Sequence, residues 1–248
     1  MLRELITTLM DCRRTDGAYL FGKGRFVKRG FAADPKFELT KCRMIKDSET
    51  VTAGVSYGLF IKRYNRKGLW RTLKRSIQLP RSYTCLAAAI HLENTAIATP
   101  TVFLASRFYL ITEALPPETK YLDKYPDLTE TAVPTIAKMH NAGLFHGDLN
   151  LRNLYYLNGQ YGFIDLDSAR LFSKGISRSL RRMELARFIS SYARTLRDNH
   201  TPLSSGELSR CIKRFADLYQ KESGFDLMDA KLEKRIIYLY RRIRKYRR

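Results

Sequence analysis

The stretch that most constrains this chain is His146-Gly147-Asp148-Leu149-Asn150-Leu151-Arg152-Asn153, followed by Tyr161-Gly162-Phe163-Ile164-Asp165-Leu166-Asp167. A carboxylate, an amide five residues on, and a second carboxylate directly after an apolar run supply one proton acceptor and oxygen donors for a hard divalent cation. That set suits transfer of a phosphoryl group to a hydroxyl, where positioning and charge neutralisation supply nearly all of the rate. Asp148 is the candidate base, and Asn153 and Asp165 are candidate Mg²⁺ ligands. Asp167 either binds a second ion or orients Asp165. Asp and Asn also favour turns. A turn explains one such residue, but not His-Gly-Asp, the amide at the fifth place, an Asn158-Gly159 hairpin and Ile-Asp-x-Asp together. His146 reads as a structural hydrogen-bonding residue of the loop.

A chain of 248 residues with 44% hydrophobic content can bury a core as one large domain or two lobes, which excludes global disorder. Its 45 Lys+Arg against 24 Asp+Glu leave a net charge of +21, so the expected partner is polyanionic: nucleic acid, an anionic membrane surface or a phosphorylated substrate. Cys12, Cys42, Cys85 and Cys211 are scattered with no Cys-x-x-Cys, which fits a reduced, cytoplasmic setting. The N-terminus mixes acidic and basic residues, and no run approaches the roughly 18 apolar residues of a membrane span. Any membrane attachment is expected to be peripheral.

Along the chain, Leu2, Leu5, Ile6 and Leu9 predict a short helix, and Gly22-Lys23-Gly24 reads as an ordinary turn rather than a phosphate loop. Strands are expected over Phe37–Ile45, Val51–Val55 and Tyr57–Tyr64. The intervening Lys46-Asp47-Ser48-Glu49 turn would lie over nucleotide phosphates, touching them through backbone N–H groups and Ser48 or Thr50. Lys62 closes the apolar Leu59-Phe60-Ile61 and is the candidate phosphate-binding cation. Helices are expected over Leu69–Ile77 and Pro80–Leu92, with Glu93 at the end of the second as the one acidic residue placed to pair with Lys62. Val102–Ala105 and Phe108–Thr112 form a hairpin pattern before the breaker Glu113-Ala114-Leu115-Pro116-Pro117. There the boundary falls between a β-rich, nucleotide-binding part, 1–112, and an α-rich catalytic part, 113–248, with Glu113 a candidate nucleotide contact. Beyond it, helices are expected over Thr129–Asn141, with His140 a core residue, then near Arg178–Leu196, Gly206–Tyr219 and Asp229–Tyr246.

His-Gly-Asp-Leu-Asn-x-x-Asn with Phe-Ile-Asp-x-Asp resembles the kinase-like superfamily of small-molecule phosphotransferases. Within it the chain looks most like the bacterial lipopolysaccharide core kinases, which phosphorylate Kdo or heptose. The supporting stretches are Tyr57–Asn65, Ala98–Thr101, His146–Asn153 and Phe163–Arg170, spread between about residues 37 and 200. The resemblance implies an α+β, two-lobed protein-kinase-like fold with a small antiparallel-sheet N-lobe and a mainly helical C-lobe. It implies ATP and Mg²⁺ as cofactors, Lys62 on the nucleotide phosphates, Asp148 as base, and Asn153 and Asp165 as metal ligands. Arg182–Phe188 resembles the acidic-Leu-Ala helix of aminoglycoside phosphotransferases, which makes Glu184 a brace for the catalytic loop. Two departures stand out: the Gly-rich loop of protein kinases is missing, and no firm partner for Lys62 is evident.

Arg178, Arg181, Arg182, Arg187, Arg194 and Arg197 fall in one helical region. The last helix is amphipathic through Leu232, Ile236, Leu239, Tyr240 and Ile243 and ends in a basic run to Arg248. These features favour an anionic glycolipid acceptor, the lipopolysaccharide core, met at the cytoplasmic face of the inner membrane with peripheral contact to the anionic membrane surface. A protein serine/threonine kinase is the alternative enzyme, alongside an aminoglycoside-like phosphotransferase. Protein kinases carry Lys two residues after the catalytic Asp and a segment ending Ala-Pro-Glu; here Asn150 takes the first place and nothing after Asp167 matches the second. A nucleic-acid-binding pseudokinase is disfavoured by the complete catalytic set and by the lack of an aromatic-basic RNA signature.

Overall fold

Two-residue turns with left-handed backbone open the sheet. Tyr19–Gly22 (β1) and Arg25–Lys28 (β2) are joined by Lys23-Gly24, at φ 51° and 67°. Turns of that kind match the right-handed twist of the strands they join, so Gly22-Lys23-Gly24 is the ordinary turn the sequence implied. The computed structural model describes residues 2–14, 18–32, 34–65 and 79–242; the helix expected over 69–77 and the basic run after 242 lie outside them.

Leu2–Arg14 (α1) precedes the hairpin and buries Leu5 and Leu9. The strand expected from Phe37 begins late, because Pro35–Thr40 (α2) is helical. Pro35 supplies a preset first turn, and the Asp34 carboxylate accepts from Lys36 N at 2.9 Å, so local capping overrides the apolar run. Arg43–Asp47 (β3), Val51–Ser56 (β4), Leu59–Tyr64 (β5), Val102–Ser106 (β6) and Tyr109–Glu113 (β7) complete an antiparallel sheet in the order β1-β2-β6-β7-β5-β4-β3. Side chains alternate across it. Ile61, Leu104 and Ile111 cluster with Leu39 of α2. Lys62, the next residue, faces the other side, where Arg81–Asn94 (α3) buries Leu86, Ala88 and Leu92 completely.

The second half is mainly helical: Val133–Asn141 (α4), Arg178–Asp198 (α5), Ser205–Ser223 (α6) and Ala230–Arg242 (α7). Short strands frame the catalytic segment. Lys120–Tyr121 (β8) pairs with Leu154–Leu157 (β10), which turns at Asn158-Gly159 (φ 49° and 80°) into Gln160–Phe163 (β11). Leu144–Phe145 (β9) pairs with Arg170–Leu171 (β12). The architecture is α+β: an antiparallel sheet followed by a helical region.

Backbone hydrogen bonds join the halves besides the chain itself. Ala114 N donates to Gly58 O at 2.8 Å. Ala98 forms a parallel bridge with Gly162, where Phe163 N donates to Ala98 O at 3.0 Å and the Thr99 hydroxyl to Phe163 O at 3.0 Å. The α7 residues Leu232 and Ile236 are fully buried, so the amphipathic last helix is a packed helix with a solvated basic side. Among the described residues no helix is long and apolar enough to cross a membrane.

Candidate active site

The loop after β9 is held by its own polar side chains. Asn150 Oδ1 accepts from Arg152 N at 3.0 Å and caps the 3₁₀ turn Leu151–Asn153, while its Nδ2 donates to Asp148 O at 2.9 Å. Asn153 Nδ2 donates to the same carbonyl at 2.9 Å, which commits its nitrogen and leaves the amide oxygen for a ligand. His146 is fully buried, and its Nδ1 accepts from Asp148 N at 3.4 Å. Its Nε2–H is therefore the donor to Ile164 O at 3.1 Å. Ile164 N in turn donates to Asn153 O at 3.0 Å. The His146–Asn153 loop and the strand leading to Asp165 are thus stitched together, with His146 hydrogen-bonded to both.

Gly147 sits at φ 87°, and a Cβ there would lie 2.3 Å from Ser168 O. Only glycine meets both demands. Asp165 itself is left-handed at φ 58°, a conformation that costs an L-residue roughly 1–2 kcal/mol.

Beneath the loop, Glu184 of α5 is completely buried. Its Oε1 accepts from Gly147 N at 2.7 Å, and its Oε2 accepts from His146 N at 2.8 Å and from His140 Nε2 at 3.2 Å. His140 Nδ1 accepts from the Tyr219 hydroxyl at 2.7 Å, and Arg181 Nη1 donates to that hydroxyl at 3.1 Å. Burial depresses the pKa of His140 and keeps it neutral. Burial alone would raise the Glu184 carboxyl, but the hydrogen bonds it accepts, from His140 first and from the His146 backbone N–H, hold it below the ordinary glutamate range. Tyr219, mostly through burial, is pushed up to about 12. A buried network thus orients two consecutive backbone N–H groups of the catalytic loop.

The basic cluster read along this helix divides. Arg181 is buried, donates to Ile176 O at 2.7 Å and Asn141 Oδ1 at 2.7 Å, and lies under the Phe225 ring at 4.1 Å. Arg182 pairs with Asp229, and Arg187 donates to Gly147 O. Arg181, Arg182 and Arg187 thus each have a structural partner, which spacing alone cannot reveal.

Lys62 reaches from β5 to the catalytic hairpin. Its Nζ lies 2.7 Å from Asp165 Oδ1 and 2.6 Å from Asp167 Oδ2. It does not pair with Glu93: the α3 positions that line the cleft with Lys62 are Arg81, Cys85 and Ala89, and Glu93 lies one turn beyond the last of them. Burial pulls the Lys62 pKa down, but the charges of Asp167 and Asp165 outweigh it and leave it raised. Burial also opposes ionisation of Asp165, yet Lys62 overrides this and lowers its pKa. Asp167 is the more enclosed; burial raises its carboxyl, and one lysine shared by two carboxylates does not bring it back down. The Tyr64 hydroxyl donates to Asp167 Oδ1 at 2.7 Å.

A cavity of about 620 Å³ collects Lys62, Asp148, Asn153, Asp165 and Asp167 at one end, with Ala53, Leu110, Thr112, Glu113 and Leu115 among its other lining residues. This lies within the usual range for a cofactor-sized ligand. Glu113 reaches the cavity at the end of β7. Ser48 does not line it; its hydroxyl donates to Val51 O at 2.9 Å within its own turn, and Thr50 lines the wall instead. A second cavity of about 540 Å³ shares Asp148 and Asn153 with the first and continues along α5 past Arg187, Arg194 and Arg197. Sequence reasoning missed it, because it needs the catalytic loop laid against α5.

Residues 123–203 match the model of the lipopolysaccharide kinase (Kdo/WaaP) family. The structure of WaaP in complex with acyl carrier protein is similar at a TM-score of 0.54 and 17% identity, over 87% of this chain and 99% of that one. A glucosamine kinase in complex with glucosamine, ADP and inorganic phosphate gives 0.55 at 11% identity, over 92% and 88%. The amicoumacin kinase hAmiN with AMP-PNP, Ca²⁺ and Ami gives 0.52 at 11% identity, over 100% and 97%. No curated protein matches the sequence. At these identities the structural likeness speaks for the fold, and the family match speaks for the segment carrying the loop.

Proposed function

We propose, on the premise that residues 123–203 make this phosphotransferase a relative of the lipopolysaccharide kinase (Kdo/WaaP) family, that it phosphorylates a sugar hydroxyl of the lipopolysaccharide inner core, on Kdo or heptose, at the expense of ATP. The observation that carries this reading is the convergence of Lys62, Asp148, Asn153, Asp165 and Asp167 on one cleft, with Asp148 also facing a second, arginine-lined cavity. The nucleotide occupies the first cavity and the acceptor the second, so the base stands between them.

The donor set suits Mg²⁺: the free amide oxygen of Asn153 and the carboxylates of Asp165 and Asp167 are hard oxygen ligands. Bound there, the ion would neutralise charge on the β- and γ-phosphates. Lys62, held by both aspartates, adds a fixed positive charge beside them. Asp148 accepts the proton of the attacking hydroxyl, and its loop is kept in register by Glu184 and His146. Glu113 stands beside the nucleotide base. We place the boundary between a nucleotide-binding lobe and a catalytic lobe after residue 112, where β7 ends. The enzyme works in the cytoplasm at the inner-membrane surface, and its contact with anionic lipid is made by the basic side of α7, since the apolar side is buried; each basic residue near such a surface adds about 1 kcal/mol.

Incubating wild type and Asp148→Ala with Mg-ATP and core glycolipid from a kinase-null strain tests this. Wild type is expected to transfer phosphate, and the variant to do so about 10²–10⁴-fold more slowly, the span of a general base. No transfer by wild type, or equal transfer by both, would overturn it.

A further inference from the structure

The second cavity has a charge and a length that say more about the acceptor. Its lining includes four guanidinium groups, from Arg152, Arg187, Arg194 and Arg197, against two carboxylates, Asp148 and Asp198. Arg187, Arg194 and Arg197 stand on α5 at intervals of seven and three residues, so they share one broad face and extend over about 15 Å of helix. The row starts at the catalytic loop, where Arg187 donates to Gly147 O, and runs away from it. The walls are fixed. Ser191 Oγ accepts from Leu151 N at 3.2 Å, Ser190 Oγ donates to Ala186 O at 2.6 Å with Ile236 O 3.2 Å away, and the Arg197 guanidinium lies 5.3 Å from the Tyr240 ring centre. Arg197 also meets Asp198 at 3.3 Å, and Arg152 meets Asp123 at 3.7 Å.

We propose that this cavity selects an acceptor with fixed anionic groups, carboxylate or phosphate, set back from the hydroxyl that meets Asp148, and that Arg194 and Arg197 read them. The inference rests on the sugar-kinase reading above and deepens it. A neutral monosaccharide reaching Asp148 would make no ionic contact with the arginine row. An extended anionic oligosaccharide would cover it and gain charge-assisted hydrogen bonds. The charge is then a specificity element separate from the chemistry, because it acts on residues remote from the transferred phosphoryl group.

Deacylated core oligosaccharide from a kinase-null strain would be offered in three forms: as isolated, phosphatase-treated, and with its carboxyl groups reduced to alcohols. Wild type, R194A and R197A are compared by kcat/KM. Wild type is expected to favour the untreated form by roughly tenfold for each charge contact removed, about 1.4 kcal/mol. R194A and R197A are expected to raise KM for the untreated form by roughly tenfold and to collapse its advantage over the neutralised form. A variant that had merely lost structure would lose both acceptors alike. Loss of preference on phosphatase treatment names phosphate as the group read; loss on carboxyl reduction names carboxylate. Equal use of charged and neutralised acceptors by wild type, or undiminished preference in both variants, would overturn the proposal. Should wild type phosphorylate nothing, the sugar-kinase reading falls, and calorimetric titration of the untreated oligosaccharide decides the anion site by itself. Binding lost in the R194A/R197A double variant supports it, and equal binding refutes it.

Discussion

Glu184→Gln isolates the brace under the catalytic loop with a change of one atom. The native carboxylate accepts three buried hydrogen bonds, at 2.7 Å, 2.8 Å and 3.2 Å. An amide retains one oxygen. Placed where Oε2 stands, that oxygen keeps His146 N and His140 Nε2, and the new NH₂ then faces the Gly147 N–H, donor against donor. An unsatisfied buried donor costs about 1–3 kcal/mol. The two surviving bonds lose their ionic partner, and charge-assisted bonds are roughly twice as strong as neutral ones. The sum is about 3 kcal/mol, which for a chain of this size lowers Tm by roughly 6–12 °C. Scanning calorimetry at pH 7.5 reads the stability, and hydrogen exchange at the Gly147 and His146 amides reads the loop. Exchange there is expected to quicken more than in the sheet, and phosphate transfer to fall about tenfold or more well below the melting range. A Tm within about 2 °C of wild type with unchanged exchange at those amides would refute the view that Glu184 holds the loop.

Gly147→Ala must adopt a left-handed backbone, at about 1–2 kcal/mol, and also places a methyl group 2.3 Å from Ser168 O. The loop has to shift, so phosphate transfer should be lost at temperatures where calorimetry still shows a folded protein; a fully active variant would contradict the geometry. The buried network also predicts an acid-side instability. The pKa of His140 is depressed on folding, so the unfolded chain takes up protons first, near its unperturbed value of about 6.5. Stability is therefore full above that pH and declines as pH falls below it toward the folded value. Glu184, also depressed, adds a further loss below about 4.3. Melting curves from pH 8 to pH 4 should show Tm falling from about pH 6.5 downward, with His140→Gln flattening the upper part of that fall; an unchanged slope in the variant would count against His140 as its source.

That Asp148, Asn153 and Asp165 come together in one cleft was legible in the sequence, because a fixed spacing of an acceptor, an amide and a carboxylate around a tight turn leaves them little freedom to separate. The Asn158-Gly159 hairpin was legible from its turn residues, since left-handed backbone restricts who can sit there, whereas Lys23-Gly24 was read only as a turn and the two strands it joins were not. Phe37–Thr40 misled because an apolar run outweighed the Asp34-Pro35 cap beside it, which was in plain view. The partner of Lys62 was beyond local reasoning. A salt bridge across more than a hundred residues depends on how β5 meets the catalytic hairpin, and the sequence offered only the nearer Glu93. For the same reason Arg181 looked like surface charge: helical spacing does not reveal that Tyr219, Asn141 and Phe225 close over it.

The bridge between Ala98 and Gly162 restricts how the cleft can open. A sheet joined to a helical region only through the chain at 113–119 would swing as on a single pivot. Here the segment entering β6 is hydrogen-bonded to the very strand that delivers Asp165, so the two attachments define an axis instead of a point. Rotation about that axis remains, while twisting or sliding across it would break the pairing of Phe163. Opening of the cleft is therefore expected as a hinge between the sheet that carries Lys62 and the hairpin that carries Asp165.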